Sequence, residues 1–482
     1  MTAEALPVVV VGGGISGLSA AYYLARSGAE VRLFEASARL GGNLRTEEHD
    51  GFLYDVGPDA FLRNKPAGVE LCQDLGLDSE LIEPLPTAAR VYVVQEGSLH
   101  PMPEGLSLGV PKSPWALFGS PLLSLSGALR ALVEPLVPAR ATGDDETIER
   151  FLGRRLGQEM TERLVAPLLA GVFAGDAARL SMAAAFPQLV DYEQRFGSLT
   201  AGTLGTSSWG TLLQRVFSSA AEPKRSPFLS LQRGLGSLVA RLAERLPDGV
   251  VSLQTEVARL VSVNDAIEVE LQDGQRLLAR HVIVAGPPWM AARLLGAFDA
   301  ALAAPLAEVR GTPTATVFFG LRAADVERPL DASGFIVPPG EGRILASSWV
   351  SSKWAGRAPN GLALVRAFVG GPRGDALFAR EDGEIARVAW DELTRLMGPL
   401  GEPLFTRVYR YERGSPQPEV GHLGRLRVIS AGLERFPRLS LIGPGYQGVG
   451  IPDCIRQARA LAEALLKGPP YSGVVQWQDK GL

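Results

Sequence analysis

Four consecutive β-branched residues, Val8-Val9-Val10-Val11, run straight into Gly12-Gly13-Gly14-Ile15-Ser16-Gly17. No other stretch limits the possible folds as much. An unbroken β-branched run suits a strand buried on both faces of a parallel sheet. The spacing G-x-G-x-x-G then asks for a tight turn at Gly12, close backbone approach at Gly14 and a closely packed helix at Gly17. Beyond it, Ile15, Leu18, Ala21, Tyr22 and Leu24 recur at helical spacing as far as Ser27, and Gly28 stops the helix. Residues 30–35, EVRLFE, alternate as a second strand. This βαβ opening places the first helical amides, at Ile15 and Ser16, where free N–H groups and the macrodipole favour a diphosphate. Glu35 ends the second strand, where a carboxylate accepts hydrogen bonds from ribose hydroxyls and disfavours a 2′-phosphate. Nicotinamide and flavin dinucleotides both fit at this point.

Length and charge set the frame around that motif. A chain of 482 residues supports about three domain-sized units, and a net charge of −4 supplies no field to hold a nucleic acid. Cys72 and Cys454 lie too far apart in sequence for a C-x-x-C motif, so neither a disulfide framework nor a thiol zinc cluster is expected, and no metal. A reducing, cytoplasmic location follows. The apolar stretch Ala5 to Ala25 lacks a basic leader and is interrupted by Gly12 to Gly14, so it reads as mature fold. Ser113 to Leu129 carries no charge, yet Pro114, Gly119 and Pro121 break it too often for a bilayer span. It suits a peripheral position on the inner face of the cell membrane.

Farther along, prolines and leucines dominate 101–139, and helical periodicity returns over Glu146 to Leu156 and Glu159 to Leu169. Residues 198–228 are rich in Gly, Ser and Thr, with a connection around Ala220 to Pro227. Leu235, Leu238, Leu242 and Leu246 mark a helix ended by Pro247. Val250 to Leu253, Ile267 to Leu271, His281 to Ala285, Ala315 to Leu321, Gly334 to Val337, Arg343 to Val350 and Leu362 to Gly370 read as strands, followed by a helix from Glu381 to Met397. The last segment repeats the pattern of the first, with a strand at Leu439 to Ile442, a glycine-studded turn and a helix from Pro452 to Leu466. The fold class is therefore α/β. A Rossmann-type dinucleotide domain is assembled from discontinuous segments 1–85, 232–295 and 422–482. An α+β substrate domain takes 86–100, 206–231 and 296–421, and 101–205 forms a helical, membrane-associating insert.

Just beyond Glu35, Arg39-Leu40-Gly41-Gly42-Asn43-Leu44-Arg45-Thr46 resembles the second dinucleotide signature of the flavin amine oxidase superfamily, in which the arginine and paired glycines meet the cofactor. Glycines allow close approach, and a guanidinium pairs with phosphate in bidentate fashion. Asp55-Val56-Gly57-Pro58 is similar to that superfamily's loop beside the flavin ring, and Val257 to its backbone contact with adenine. The stretch from Leu441 to Ile451, containing Gly443 and Gly450, resembles its final flavin-binding turn, where a helix start would stabilise negative charge on reduced flavin. The implied cofactor is FAD. Within the superfamily, the whole chain resembles the oxygen-dependent protoporphyrinogen oxidases, a family that also includes coproporphyrinogen III oxidases. Ala174-Gly175-Asp176, Leu180-Ser181-Met182, Ala185-Phe186-Pro187, Gly334-Phe335-Ile336-Val337-Pro338, Arg357-Ala358-Pro359, Phe368-Val369-Gly370-Gly371 and Gly421-His422-Leu423 carry that likeness.

The resemblance implies oxidation of protoporphyrinogen IX to protoporphyrin IX in haem biosynthesis. Six electrons leave as three hydrides to flavin, and dioxygen reoxidises the flavin each time with release of hydrogen peroxide. Coproporphyrinogen III, with four propionates rather than two, is the alternative substrate. Other amine oxidases and non-enzymatic prenyl-protein chaperones of the same fold are rival readings; the intact glycine motif, Glu35 and Arg39 speak against the chaperones. Arg90 matches an arginine that pairs with a substrate propionate, and Ile336 and Phe368 match positions flanking the tetrapyrrole. Ser348 stands where plant enzymes carry leucine, and Gly175 matches a glycine whose backbone lies near the reacting carbon. On the residues alone, Arg90 also fits a surface ion pair, Ile336 and Phe368 plain sheet core, and Gly175 a simple loop turn. His49, His100, His281 and His422 are scattered, without H-E-x-x-H or a triad-like cluster, so no side-chain general base is named. Hydride transfer depends chiefly on positioning, the chemistry residing in the cofactor. The partners implied are a tetrapyrrole and dioxygen, with a homodimer and a membrane surface left open.

Overall fold

Val8–Val11 forms a strand with all four side chains buried. It pairs in parallel with Val31–Phe34 on one side and His281–Ala285 on the other, Val8 standing opposite both Val31 and His281. Val251–Ser252 joins the first neighbour and Leu439–Ile442 the second, giving a five-stranded, all-parallel sheet. Parallel strands in register end at one edge, so the loops after Val11, Phe34, Ala285 and Ile442 emerge side by side from distant parts of the chain. The computed structural model that shows this describes residues 6–112, 117–140, 144–205, 226–373 and 375–467.

Two compact units account for these residues. The first takes the chain up to Glu83, Ser226–Arg310 and the chain from Leu423 onward; the second takes Pro84 to Gly205, the last described residue before Ser226, together with Gly311–His422. In the first unit the helices Ile15–Ala25 and Ile451–Leu466 pack against each other on one face of the parallel sheet, joined by Pro66–Asp74 and Gly236–Glu244. Leu18, Leu24, Ile455 and Leu461 are sealed from solvent, a setting in which truncation to alanine costs about 2–5 kcal/mol. The other face carries an antiparallel sheet of Val257–Val263, Ala266–Leu271 and Arg276–Ala279. Only the middle of these three strands is legible from sequence, because the outer two alternate buried with exposed or half-exposed residues and have short apolar content.

The second unit is built on a seven-stranded mixed sheet. Its order is Phe405–Pro416, Gly311–Arg322, Leu362–Gly370, Ala346–Trp349, Gly334–Ile336, Tyr92–Gln95 and Ser98–Pro101. Period-two alternation assigns the two faces. Ala315, Val317, Phe319, Ala363, Val365 and Ala367 pack on Ile385, Ala389 and Leu393 of the helix Asp382–Met397. The opposite face carries Thr316, Phe318, Arg366, Phe368, Ser348 and Ile336, as the pairings Thr316–Phe368, Phe318–Arg366, Ser348–Arg366 and Ile336–Ala346 require.

Local departures from the sequence expectations have physical reasons. The helix expected over Glu159 to Leu169 is interrupted by a π turn at Thr161–Val165 before Ala166–Phe173. The strand expected from Arg343 shortens to Ala346–Trp349, where pairing with Leu362–Gly370 begins. Segment 101–205 is mainly helical in its described residues and falls within the second unit. There Arg155 and Glu134, both sealed from solvent, form an ion pair, and the Glu134 carboxylate also accepts the N–H groups of Leu199 and Thr200 at the start of the Leu199–Leu204 helix. Removing one partner of such a pair costs about 3–5 kcal/mol. The connection expected near Ala220 falls mostly outside the described residues, as do Ser113 to Ala116. Among the described residues no helix is long and apolar enough to cross a membrane.

Candidate functional site

The glycine turn leaves the parallel sheet at Val11. Gly12 has φ +107°, and its N–H donates to the Phe34 carbonyl at 2.8 Å. A Cβ on Gly12 would lie 2.6 Å from the Ala285 carbonyl oxygen, and one on Gly17 would collide with the Gly12 carbonyl. Both glycines are therefore required by the protein's own packing. Gly14 is different: it caps the Ile15–Ala25 helix in extended geometry, and a Cβ there would meet nothing within 4 Å. No side chain caps this helix and no acid stands in its first turn, while Ile15 and Ser16 are buried. The result is an open cradle at a positive helix end, suited to a diphosphate.

Two neighbouring segments close around it. The Glu35 carboxylate accepts the Gly13 N–H at 2.6 Å and the Ser37 N–H at 2.8 Å, which fixes the acid beside the turn. The segment leading to Val257 is tied to the same strand end, since Thr255 N–H donates to the Glu35 carbonyl at 2.9 Å. Val257 itself is buried and opposes Leu271 at an irregularity in the antiparallel sheet. The second glycine signature lies against the first: Gly41 N–H donates to the Gly13 carbonyl at 2.8 Å, and a Cβ on Gly42 would lie 3.4 Å from the Gly14 Cα. Arg39 and Asn43 are exposed, and the Arg39 guanidinium donates to the carbonyls of Leu40 and Gly42. Asp55, buried, accepts the Leu235 N–H at 2.8 Å and so anchors the Val56-Gly57 loop that follows.

The C-terminal turn arrives from the last strand of the sheet. Gly443 has φ +137°, and a Cβ there would press on the Gly286 backbone, 2.7 Å from its carbonyl oxygen. Gln457 clamps Gly443 from both sides, accepting its N–H and donating to its carbonyl, each at 3.2 Å. Gly450 caps the Ile451–Leu466 helix, whose first residue, Ile451, is buried. Here a first-turn acid is present: Asp453 accepts the Gly450 N–H and pairs with Lys65 at 2.6 Å. The lysine offsets the charge that Asp453 brings to this helix end. Neither member of that pair was singled out from the sequence, because a Lys and an Asp so distant carry no local pattern. Burial pushes the thiol of Cys454, in the same helix turn, up to about 12, which keeps it protonated and unreactive.

In the second unit, Arg90 is exposed and its guanidinium lies 3.3 Å from Asp331, whose carboxylate also accepts from the Tyr92 hydroxyl. Ile336 and Phe368 both oppose Ala346 and therefore share a sheet face, with Ser348 two residues along the same strand. Gly175 sits in a loop pinned from below. A Cβ on it would run into the Gln417 amide and lie 2.7 Å from Leu180, and Gln417 donates to the Phe173 carbonyl at 2.9 Å. Ala174, just before it, adopts φ +48°, a conformation uncommon outside glycine. Gln417 carries no local pattern and is not legible from sequence.

Known proteins align with this architecture along almost its whole length. The family model for flavin containing amine oxidoreductases matches residues 15–466. The coproporphyrinogen III oxidase of Bacillus subtilis (strain 168) is 34% identical, covering 94% of this chain and 96% of that protein. The protoporphyrinogen oxidase of Bos taurus is 32% identical, covering 96% and 99%. A crystal structure from Exiguobacterium sp. 255-15 superposes with a TM-score of 0.83 at 30% identity, over 96% of this chain and 99% of the other. With a dinucleotide cradle at Gly14 and family likeness from end to end, the chain belongs to the flavin-containing amine oxidoreductases and is an FAD-dependent oxidase.

Proposed function

We propose that this oxidase converts a porphyrinogen to a porphyrin. The observation that carries the reading is the open cradle at Gly14, bordered by Gly42 and Glu35, in a chain whose relatives are porphyrinogen oxidases over nearly their full length. Coproporphyrinogen III is supported by the name of the Bacillus relative. Protoporphyrinogen IX, the substrate first implied by the sequence, is the second reading and is supported by the bovine relative.

Bound FAD supplies a two-electron acceptor that dioxygen regenerates, so three rounds turn one porphyrinogen and three dioxygen molecules into one porphyrin and three hydrogen peroxide molecules. The chain's part is placement. Gly14 and the amides of Ile15, Ser16 and Gly17 would hold the diphosphate, Glu35 the ribose, Arg39 with Gly41, Gly42 and Asn43 the neighbouring cofactor atoms, and the Val257 backbone the adenine. Gly57, Gly443, Gly450 and Ile451 would border the ring system. On the substrate side, Arg90 would pair with a propionate, Ile336 and Phe368 would cover the macrocycle, and the Gly175 loop, held by Gln417, would present its backbone to the reacting carbon. Removing hydride from a saturated bridging carbon needs fixed distance and orientation more than a base. Buried His281 is held neutral, its pKa lowered to about 3 by desolvation and by the charges of Arg280 and Arg438, and it hydrogen-bonds Ser440 rather than facing a substrate.

A peripheral membrane contact belongs to the same proposal. Leu125, Leu129 and Leu136 are among the most exposed apolar side chains, and the first two lie on one face of the Leu125–Leu132 helix. The deciding experiment is anaerobic mixing of the purified protein with each porphyrinogen, followed by admission of air. Bleaching of the flavin and then porphyrin fluorescence is expected; a flavin that stays oxidised with both substrates overturns the reading.

A further inference from the structure

In the second unit, the turn after the Ala166–Phe173 helix bends through a left-handed residue that is not glycine, Ala174 at φ +48°. Such a residue keeps that conformation only where its surroundings fix it, and bends of this kind gather at functional sites. A Cβ on Gly371 would lie 3.0 Å from the Ala174 carbonyl oxygen, so the turn sits beside the end of the strand Leu362–Gly370 that carries Phe368. The helix leading into it packs against Gly334–Ile336, the strand that carries Ile336. Two other segments grip the chain just beyond the bend: Thr147 pairs with Ser181 and Glu419 with Leu180, both antiparallel. The Gln417 amide, which backs Gly175, donates to the carbonyls of Phe173 and Ser415, each at 2.9 Å. Asp145 ties these segments together. One of its carboxylate oxygens accepts from the Ser181 hydroxyl, and the other accepts the Gly421 N–H at 2.9 Å. Ser181 in turn accepts the Ala184 N–H at 3.0 Å and donates its own N–H to the Pro418 carbonyl at 2.8 Å.

A carboxylate with each oxygen engaged by a different segment fixes the distance between them, here across 276 residues of sequence from Asp145 to Gly421. Both bonds are charge-assisted, which makes them stronger than their neutral counterparts. We infer that Asp145 is a positioning residue for the oxidation: by clasping Ser181 to Gly421 it holds the Ala174-Gly175 turn in the bent form that meets the substrate. The inference rests on the porphyrinogen reading above, in which the Gly175 backbone is presented to the reacting carbon. Hydride transfer is sensitive to placement, and a displacement of about 1 Å can cost on the order of a hundredfold in rate. Loosening the clasp therefore slows the transfer, while the cofactor and the macrocycle are held by other residues. Asp145 acts through the turn, on the rate of one step rather than on affinity.

The test compares the holoenzyme with Asp145→Ala, Asp145→Asn and Ser181→Ala. Flavin content is read from absorbance and folding from thermal unfolding. Flavin reduction by coproporphyrinogen III and by protoporphyrinogen IX is followed anaerobically by stopped flow, and reoxidation of dithionite-reduced flavin by dioxygen is followed separately. Asp145→Ala is expected to slow flavin reduction and kcat by about tenfold or more, with KM within about twofold of wild type. Reoxidation should keep its wild-type rate, because dioxygen does not depend on the turn. Asp145→Asn retains an oxygen for the Gly421 N–H and an amide N–H for the Ser181 hydroxyl oxygen, so it should recover part of the loss. Ser181→Ala, which removes one of the two bonds, should fall between Asp145→Ala and wild type. If Asp145→Ala does not fold with flavin, Ser181→Ala carries the same comparison. Flavin reduction at the wild-type rate in the folded variants, or a loss shared equally by reoxidation, overturns the positioning role. A wild-type protein that oxidises neither porphyrinogen overturns the functional reading instead.

Discussion

Gly14 is the glycine of its motif that the protein's own packing leaves free. Gly12 and Gly17 would drive a methyl into backbone oxygens, whereas Gly14 faces open space and has ordinary backbone geometry. Gly14→Val is therefore expected to fold and to purify colourless, because the added bulk fills the place of the diphosphate. Flavin absorbance together with thermal unfolding checks this, and a yellow variant with wild-type flavin content would remove Gly14 from the cofactor site. Arg90 belongs to the same scale. Its exposed partnership with Asp331 is weak, so the guanidinium can exchange Asp331 for a propionate at little cost. Arg90→Ala should raise KM roughly three- to tenfold and leave kcat close to wild type, since propionate pairing acts alike on ground and transition states. Steady-state kinetics with an unchanged KM would exclude Arg90 from substrate binding.

At the scale of elements, the parallel strands bring the dinucleotide turn, Glu35 and the Gly443 turn to one edge, and the stability of that sheet has a pH signature. His281 opens the strand His281–Ala285, buried against Ser440 of the neighbouring strand. Its folded pKa is about 3 against an ordinary 6.5, so above 6.5 the histidine is neutral in both states and contributes no pH dependence. Between 6.5 and about 3 the unfolded chain binds the extra proton, and stability falls as pH falls. From pH 7 to pH 5 this amounts to about 2 kcal/mol. His281→Gln should be less stable than wild type at neutral pH but lose less on acidification, as urea unfolding at the two pH values would show. Equal losses in the two proteins would place the acid sensitivity elsewhere. The same sheet explains what sequence could read: Val8–Val11 and Leu439–Ile442 are short, fully buried and followed by glycine, whereas Val257–Val263 and Arg276–Ala279 are polar on one side and lose that signal.

For the whole molecule, the exposed leucines of the Leu125–Leu132 helix lead to one further expectation: the purified protein should co-sediment with liposomes, and Leu125→Ser with Leu129→Ser should weaken this several-fold. Wild-type protein that stays entirely in the supernatant would leave these residues without a membrane role. The candidate cofactor turns are legible in the sequence because their signatures are local: Gly12 to Gly17 and Gly443 to Ile451 each join a strand, a turn and a helix start, and Arg39 to Gly42 follows the second strand by a short loop. What sequence could not supply was partnership across distance. Lys65 meets Asp453, Gln417 holds the Gly175 loop, and the Arg366 guanidinium lies over the rings of Phe318 and Phe368. By itself, the amino-acid order determined the dinucleotide turn and the βαβ opening, since backbone freedom at glycine and β-branched stiffness act between near neighbours. Tertiary structure alone decided which face of a strand a side chain occupies and whether a charge is buried, because both depend on strand register and on what packs above it.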